Sequence, residues 1–196
     1  MKNILVTGFD PFGGEAINPS WEAVKRLPDK IGGKKIEKLE IPTVYGKAAK
    51  RVISYAEMLQ PDAIICVGQA GGRAVITPEV VGINIREGKL ADNEGVRYGG
   101  EPIIDGAPAA YFSTLPVRDM VTEISKEGIP ASLSYSAGAF VCNDTLYTLL
   151  HHYRDSDVKV GFVHVPYLPE QVKNGEPSLT LDTVIRALDR MILTIK

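Results

Sequence analysis

An alternation of short apolar runs with amphipathic stretches predicts an α/β fold: a single open, mainly parallel twisted sheet with helices on both faces. Three observations carry this reading. Runs such as NILVTGF (3–9) and DAIICVG (62–68) are apolar almost without a break, as strands covered on both faces are. Stretches at helical spacing, such as 47–60 and 117–126, lie between such runs. No internal repeat, low-complexity tract or linker interrupts the 196 residues, so one α/β domain over 1–196 accommodates the chain.

Each element follows in order. Asn3 to Phe9 reads as a buried strand that stops at Asp10-Pro11, and the turn-rich DPFGG (10–14) comes next. Asn18-Pro19-Ser20 starts a helix, with Ser20 as the expected cap and Trp21, Val24 and Leu27 on one face. Lys35 to Pro42 alternates apolar and charged residues, as a strand with one wet face does. A helix over Lys47–Gln60 ends before Pro61, and a covered strand over Asp62–Gly68 closes on the loop QAGGR. Val80 to Ile85 reads as another strand. Glu87 to Pro108, rich in Gly, Asp, Asn, Glu and Pro, reads as a long excursion or hairpin of the kind that is often functional. Then come a helix over Val117–Lys126, a strand over Ala131–Ser136 and a helix over Phe140–Tyr153. A strand over Val158–Val165 and a C-terminal helix from about Ser178 complete the chain.

Composition excludes several classes. A hydrophobic fraction of 44% with 23% charged residues is ordinary for a soluble globular protein, and a formal net charge of -2 gives no reason to expect nucleic acid. No apolar run approaches the roughly 18 residues that span a bilayer, so no membrane partner is expected. MKNILVTGFD reads as a first strand rather than a signal peptide, which makes the expected location cytoplasmic and Cys66 and Cys142 reduced thiols. TGFDPFGGE matches neither glycine-rich nucleotide fingerprint, and no Cys/His cluster has metal-ligand spacing, so neither cofactor nor metal is expected. There is also no G-x-S-x-G elbow around Ser136.

Thiol chemistry is what remains. In open α/β sheets, sites gather at the carboxyl ends of the strands. Cys142, in SAGAFVCND, falls there and within the first turns of a helix, where the unpaired N–H groups favour a thiolate and a developing oxyanion. Cys66, inside IICVG, has nothing to activate it and reads as a small core hydrophobe. Of the three histidines, His151 and His152 lie late in the Cys142 helix, whereas His164 ends the strand GFVHV at the same sheet edge as Cys142. A Cys–His pair is plausible on that ground, beside the plainer reading of a satisfied core histidine. A third, acidic member would fix the imidazole, and Asp10, Glu79, Asp92, Glu94 and Asp105 are all candidates that spacing does not separate.

The segments VTGFDPFGGE (6–15), NPSWEA (18–23), VGQAGGR (67–73), ITPEVVGIN (76–84), DNEG (92–95), SAGAFVCN (136–143) and GFVHVPYLPEQ (161–171) closely resemble pyroglutamyl peptidase type I, in order and over nearly the whole chain. That resemblance implies a catalytic Cys142, His164 and Glu79, an open α/β fold, no cofactor, and a homo-oligomer, commonly a homotetramer. It implies hydrolysis of the bond after an N-terminal pyroglutamyl residue of peptides. Phe9, Phe12, Phe140 and Val141 are then expected as apolar pocket walls, and Asn18 and Gln69 as polar contacts. One departure stands out: where the family often carries Ala-Arg-Ile-Pro, this chain has Gly88-Lys89-Leu90-Ala91. Lys89 thus replaces an arginine tied to the oxyanion region, keeping the charge and losing the planar fork. Two rival readings are a phosphate-binding α/β protein using the glycine loops and an inactive relative acting through its surface.

Overall fold

The computed structural model describes residues 2–196. In chain order the elements are β1 (Asn3–Phe9), α1 (Pro19–Val24), β2 (Lys30–Ile31), β3 (Lys34–Ile41), α2 (Lys47–Leu59), β4 (Ala63–Gln69) and β5 (Thr77–Pro78). They continue with β6 (Val81–Ile83), β7 (Arg86–Glu87), β8 (Gly99–Glu101), β9 (Ala110–Phe112), α3 (Val117–Lys126), α4 (Val141–His152), β10 (Lys159–Val165) and α5 (Leu181–Leu193), with a short 3-10 turn at Pro169–Gln171 before the last helix. The main sheet has the order β2-β3-β1-β4-β10-β5. Its four long strands, β3, β1, β4 and β10, are parallel, and the two-residue β2 and β5 pair antiparallel at the edges.

The unbroken apolar runs explain why these strands are central. Along β1, Ile4 and Val6 face a core built with α1, α3 and α5, while Leu5 and Phe9 face a second core built with α2 and α4. The period of two thus serves two helical layers at once, and neither strand face can be polar. On β10 the same alternation sends Val163 and Val165 to the first layer and Val160 and Phe162 to the second. Parity places His164 on the α4 side, opposite Gly68 of β4 in the register, with Phe162 opposite Cys66.

Several expectations need correction. The cap of α1 is Asn18, not Ser20: its side chain accepts from the Ser20 N–H at 3.1 Å, while Pro19, at the first helical position, has no N–H to satisfy. Residues 131–136 form no continuous strand. They run beside 76–80 through isolated bridges (Ile76 with Ala131, Glu79 with Ser134), because Pro78 and Pro130 remove ladder donors. The 80–85 strand shrinks to β6, which pairs with β9 in a separate two-stranded ribbon. A second ribbon, β7 with β8, organises the 87–108 excursion. The last helix starts at Leu181, where Thr180 caps it by accepting from the Thr183 N–H. Among the described residues no helix is long and apolar enough to cross a membrane.

Candidate active site

Cys142 occupies the second position of α4, so its N–H is one of those that the helix itself cannot satisfy. The preceding turn, Ser136 to Ala139, reverses the chain through Gly138 at φ 76°. Side chains on the first turn then lock it to its neighbours. Asn143 accepts from the Ile83 N–H at 2.9 Å and donates to the carbonyls of Ile83 and Ile85 at 2.8 and 3.0 Å. Asp144 is fully buried, pairs with Arg86 and accepts from the Gly46 N–H at 2.8 Å. The nucleophile candidate therefore sits on a rigid helix start.

Gly68 explains how close the sulfur comes to the sheet. A Cβ on that residue would lie 3.0 Å from Cys142 Sγ and 2.7 Å from the Phe162 ring, so only glycine lets α4 settle over the strand ends. Because Gly68 is the register partner of His164, Sγ and the imidazole occupy neighbouring columns of one sheet face. No hydrogen bond joins the two directly. The His164 ring lies 4.8 Å from that of Phe162, which fixes one of its sides.

The other side is fixed by Glu79. Its backbone N–H donates to the Phe162 carbonyl at 2.9 Å, which continues the β5–β10 pairing by one residue and brings its carboxylate under the imidazole. His164 Nδ1 and Glu79 Oε1 are 2.7 Å apart, and both side chains are almost inaccessible, at 4% and 0%. With Nδ1–H donating to the Glu79 carboxylate, Nε2 is left as the basic nitrogen. The other acids are occupied elsewhere. Asp10 accepts from the Thr43 N–H, Asp92 from the N–H groups of Tyr45, Glu94 and Val96, and Glu94 pairs with Lys47. Asp105 is exposed. Of the five candidates, only Glu79 is bonded to His164.

Arg73 is a member of the cluster that sequence reasoning passed over. Its Nη1 donates to Glu79 Oε1 at 2.8 Å and to Thr77 Oγ1 at 2.5 Å, and its Nη2 donates to the Ser136 carbonyl at 3.0 Å. It lay in plain sight in VGQAGGR, but nothing in one sequence says that residue 73 folds back onto residue 79.

The electrostatics depart from a preformed thiolate. Burial pushes the Cys142 thiol up to about 12, the carboxylate of Glu79 and the thiol of Cys66 add to the rise, and Arg73 opposes it. Burial also lowers the pKa of His164, against the upward pull of Glu79. For Glu79, burial alone would raise the carboxyl, but the bond and charge of His164, with help from Ser134 and Arg73, hold it below its ordinary value. Desolvation of the sulfur thus outweighs the helix N-terminus that led us to expect a lowered thiol pKa. With both values lowered, His164 from 6.5 and Glu79 from 4.5, neutral pH finds a neutral imidazole beside a carboxylate, while Cys142 is itself only half-buried.

A cavity of about 240 Å³ opens beside the helix start, lined by Phe12, Glu87, Gly88, Lys89, Leu90, Ala139 and Phe140. Phe12 and Phe140 face each other with centroids 6.0 Å apart. Gly88 is packed so tightly that a Cβ there would lie 2.8 Å from both the Tyr45 hydroxyl and the Leu90 carbonyl. Lys89 is exposed at the cavity rim. Phe9 and Val141 are packed in the core built with α2 and α4 and do not line this cavity. Asn18 is also 2% exposed and committed: besides capping α1 it donates to the Asp10 carbonyl at 2.9 Å, so it shapes the first loop. Gln69 ends β4 half-buried, where its Oε1 accepts from Gln171 Nε2 at 2.9 Å.

A profile of the pyroglutamyl peptidase family matches residues 2–196. A pyrrolidone-carboxylate peptidase of Bacillus cereus (strain AH820) is 49% identical over 194 residues, covering 96% of this chain and 90% of the relative. The one from Bacillus mycoides (strain KBAB4) is 48% identical over 197 residues, covering 98% and 92%. Among solved structures, pyroglutamyl peptidase I from Bacillus amyloliquefaciens superposes with a TM-score of 0.95 at 48% identity, over 98% of this chain and 94% of that one. A mutant pyrrolidone carboxyl peptidase from Pyrococcus furiosus gives 0.94 at 39% identity, over 98% and 97%. The profile alone spans nearly the whole sequence, and the chain belongs to the pyroglutamyl peptidase family of cysteine peptidases.

Proposed function

We propose that this enzyme removes an N-terminal pyroglutamyl residue from peptides, with Cys142 as nucleophile, His164 as acid and base, and Glu79 as the orienting acid. The observation that carries the reading is the buried Glu79–His164 bond on the sheet face that Cys142 Sγ closes over. In this mechanism His164 Nε2 takes the Cys142 proton as the sulfur attacks the pyroglutamyl carbonyl carbon. The imidazole Nε2 then holds that proton until the leaving amine needs it. The tetrahedral oxyanion is held by the Cys142 N–H, with Lys89 at the cavity rim as a second positive group. The imidazolium then gives its proton to the departing amine as the C–N bond breaks. Water, deprotonated by His164, attacks the thioester, and cleavage of the C–S bond returns the thiol and frees pyroglutamate.

The lactam is small, flat and uncharged, and fits between apolar walls with few polar contacts. Phe12 and Phe140 serve as the walls, and Gln69, whose oxygen is engaged by Gln171, serves chiefly as a donor. A site that bonds the lactam leaves those groups unpaired when proline is bound instead, so prolyl analogues are rejected strongly. The test is release of a chromogenic amine from pyroglutamyl and prolyl amides, with Cys142→Ser as control. The expected result is turnover of the pyroglutamyl compound alone and a loss of at least about 1000-fold in Cys142→Ser. Equal turnover of the prolyl amide, or full activity in the serine variant, contradicts the proposal.

A further inference from the structure

We infer that Arg73 is a positioning residue of the reaction, one that ties the orienting acid to the turn carrying the nucleophile. The inference rests on the peptidase reading above. Glu79 Oε1 accepts from both Arg73 Nη1, at 2.8 Å, and His164 Nδ1, at 2.7 Å, while Oε2 is buried without a protein partner. One oxygen therefore accepts both bonds, and the direction of the carboxylate is set jointly by the guanidinium and the imidazole. The second amino group of the same guanidinium reaches the Ser136 carbonyl at 3.0 Å. That carbonyl opens the Ser136–Ala139 turn leading into α4, so a single planar fork spans three chain segments: the loop after β4, the end of β5 and the approach to Cys142.

An exposed ion pair would contribute little. Here the acid is fully buried although the arginine side chain is 31% exposed, so loss of Arg73 leaves an interior carboxylate with only the His164 imidazole bonded to it. The guanidinium also acts on the reacting groups. It disfavours the protonated imidazole and favours the thiolate, opposite in sign to Glu79 on both. The charged groups that face His164 are Glu79 from the end of β5 and Arg73 from the loop after β4. The thiols of Cys142 from α4 and Cys66 from β4 share its sheet face. Lysine in place of Arg73 keeps a charge but not the fork, which separates the two effects.

The test measures kcat and KM for a pyroglutamyl amide across pH in Arg73→Ala, Arg73→Lys, Glu79→Gln and the Arg73→Ala/Glu79→Gln double variant. Thermal unfolding and the alkylation stoichiometry of Cys142 normalise each to its folded fraction. We expect kcat to fall about 10–100-fold in Arg73→Ala, with KM changed less than about twofold. The acid side of the kcat/KM profile should move to higher pH, because removing a cation raises the pKa of His164. Arg73→Lys should lower kcat while leaving that side in place. In the Glu79→Gln background, removal of Arg73 should cost less than about threefold, since it acts through Glu79. Unchanged kcat and profile in Arg73→Ala, or full additivity with Glu79→Gln, overturns the inference. If Arg73→Ala does not fold, Arg73→Lys decides: a lowered kcat with the profile in place supports the inference and wild-type kcat overturns it. If the wild type releases nothing, the peptidase reading fails by itself. Arg73 is then judged by NMR titration of His164, where an upward shift in the folded Arg73→Ala protein supports it and no shift overturns it.

Discussion

Glu79 has a carboxylate in the protein interior, and such a group persists there because its partners outweigh the cost of burial. Burial disfavours the ion, while one oxygen accepts from both an imidazole and a guanidinium. Glu79→Gln preserves the shape and removes the charge. It also turns an acceptor site toward an amide that can present the wrong atom to Nδ1. We expect a fall in kcat of about 10²–10⁴-fold with the fold retained, measured by steady-state kinetics beside circular dichroism. A fall below tenfold would mean that the tautomer is fixed by something else. The positions of Cys142 at a helix start and of His164 at a strand end were legible in the sequence because both kinds of end can be read from apolar runs and turn residues. Glu79 was not separable from Asp10, Asp92, Glu94 and Asp105 by spacing, since the choice depends on one extra residue of β5–β10 pairing. Arg73 was invisible for a similar reason: its role is a contact across a loop that has no periodic pattern.

At the level of elements, the site depends on how closely α4 approaches the ends of β4 and β10. Gly68 sets that approach, with Phe162 and Cys142 Sγ filling the space where a side chain would point. Gly68→Ala should cost about 1–3 kcal/mol of stability, read by denaturant unfolding, and should lower activity further by displacing the sulfur. Wild-type stability and activity together would show that α4 is free to slide. The strands and helices that build this layer were readable because their apolar runs and helical spacings are long. The 131–136 segment was misread as a strand because its composition favours extended backbone, while Pro130 before it and Pro78 opposite it remove ladder donors. The β6–β9 and β7–β8 ribbons are only two or three residues long per strand, too short for a period to show. An apolar residue next to a reactive one, such as Val141 beside Cys142, looks alike in a sequence whether it lines a pocket or supports it.

For the whole molecule, the two buried ionisable partners set a pH dependence of stability. His164 has its pKa lowered from 6.5, so the unfolded chain binds a proton that the folded protein resists, and stability is present above pH 6.5 and lost as pH falls below it. Glu79 is lowered from 4.5, so its contribution is present above pH 4.5 and lost as pH falls through its folded value. We predict a fall in Tm that begins between pH 7 and 6 and steepens below 4.5. The first phase should be absent in His164→Gln, provided that variant is compared with the wild type at each pH. A Tm that is flat from pH 7 to 5 would mean that His164 titrates normally.

The account turns on the sulfur of Cys142. Acid quenching of the enzyme during turnover of an activated pyroglutamyl ester, followed by peptide mapping by mass spectrometry, tests it most directly. The account predicts one pyroglutamyl group on the peptide containing Cys142, lost with time in water, absent from the Cys66 peptide and absent from Cys142→Ser. Continued turnover with no adduct on Cys142, or an adduct on Cys66, would contradict it.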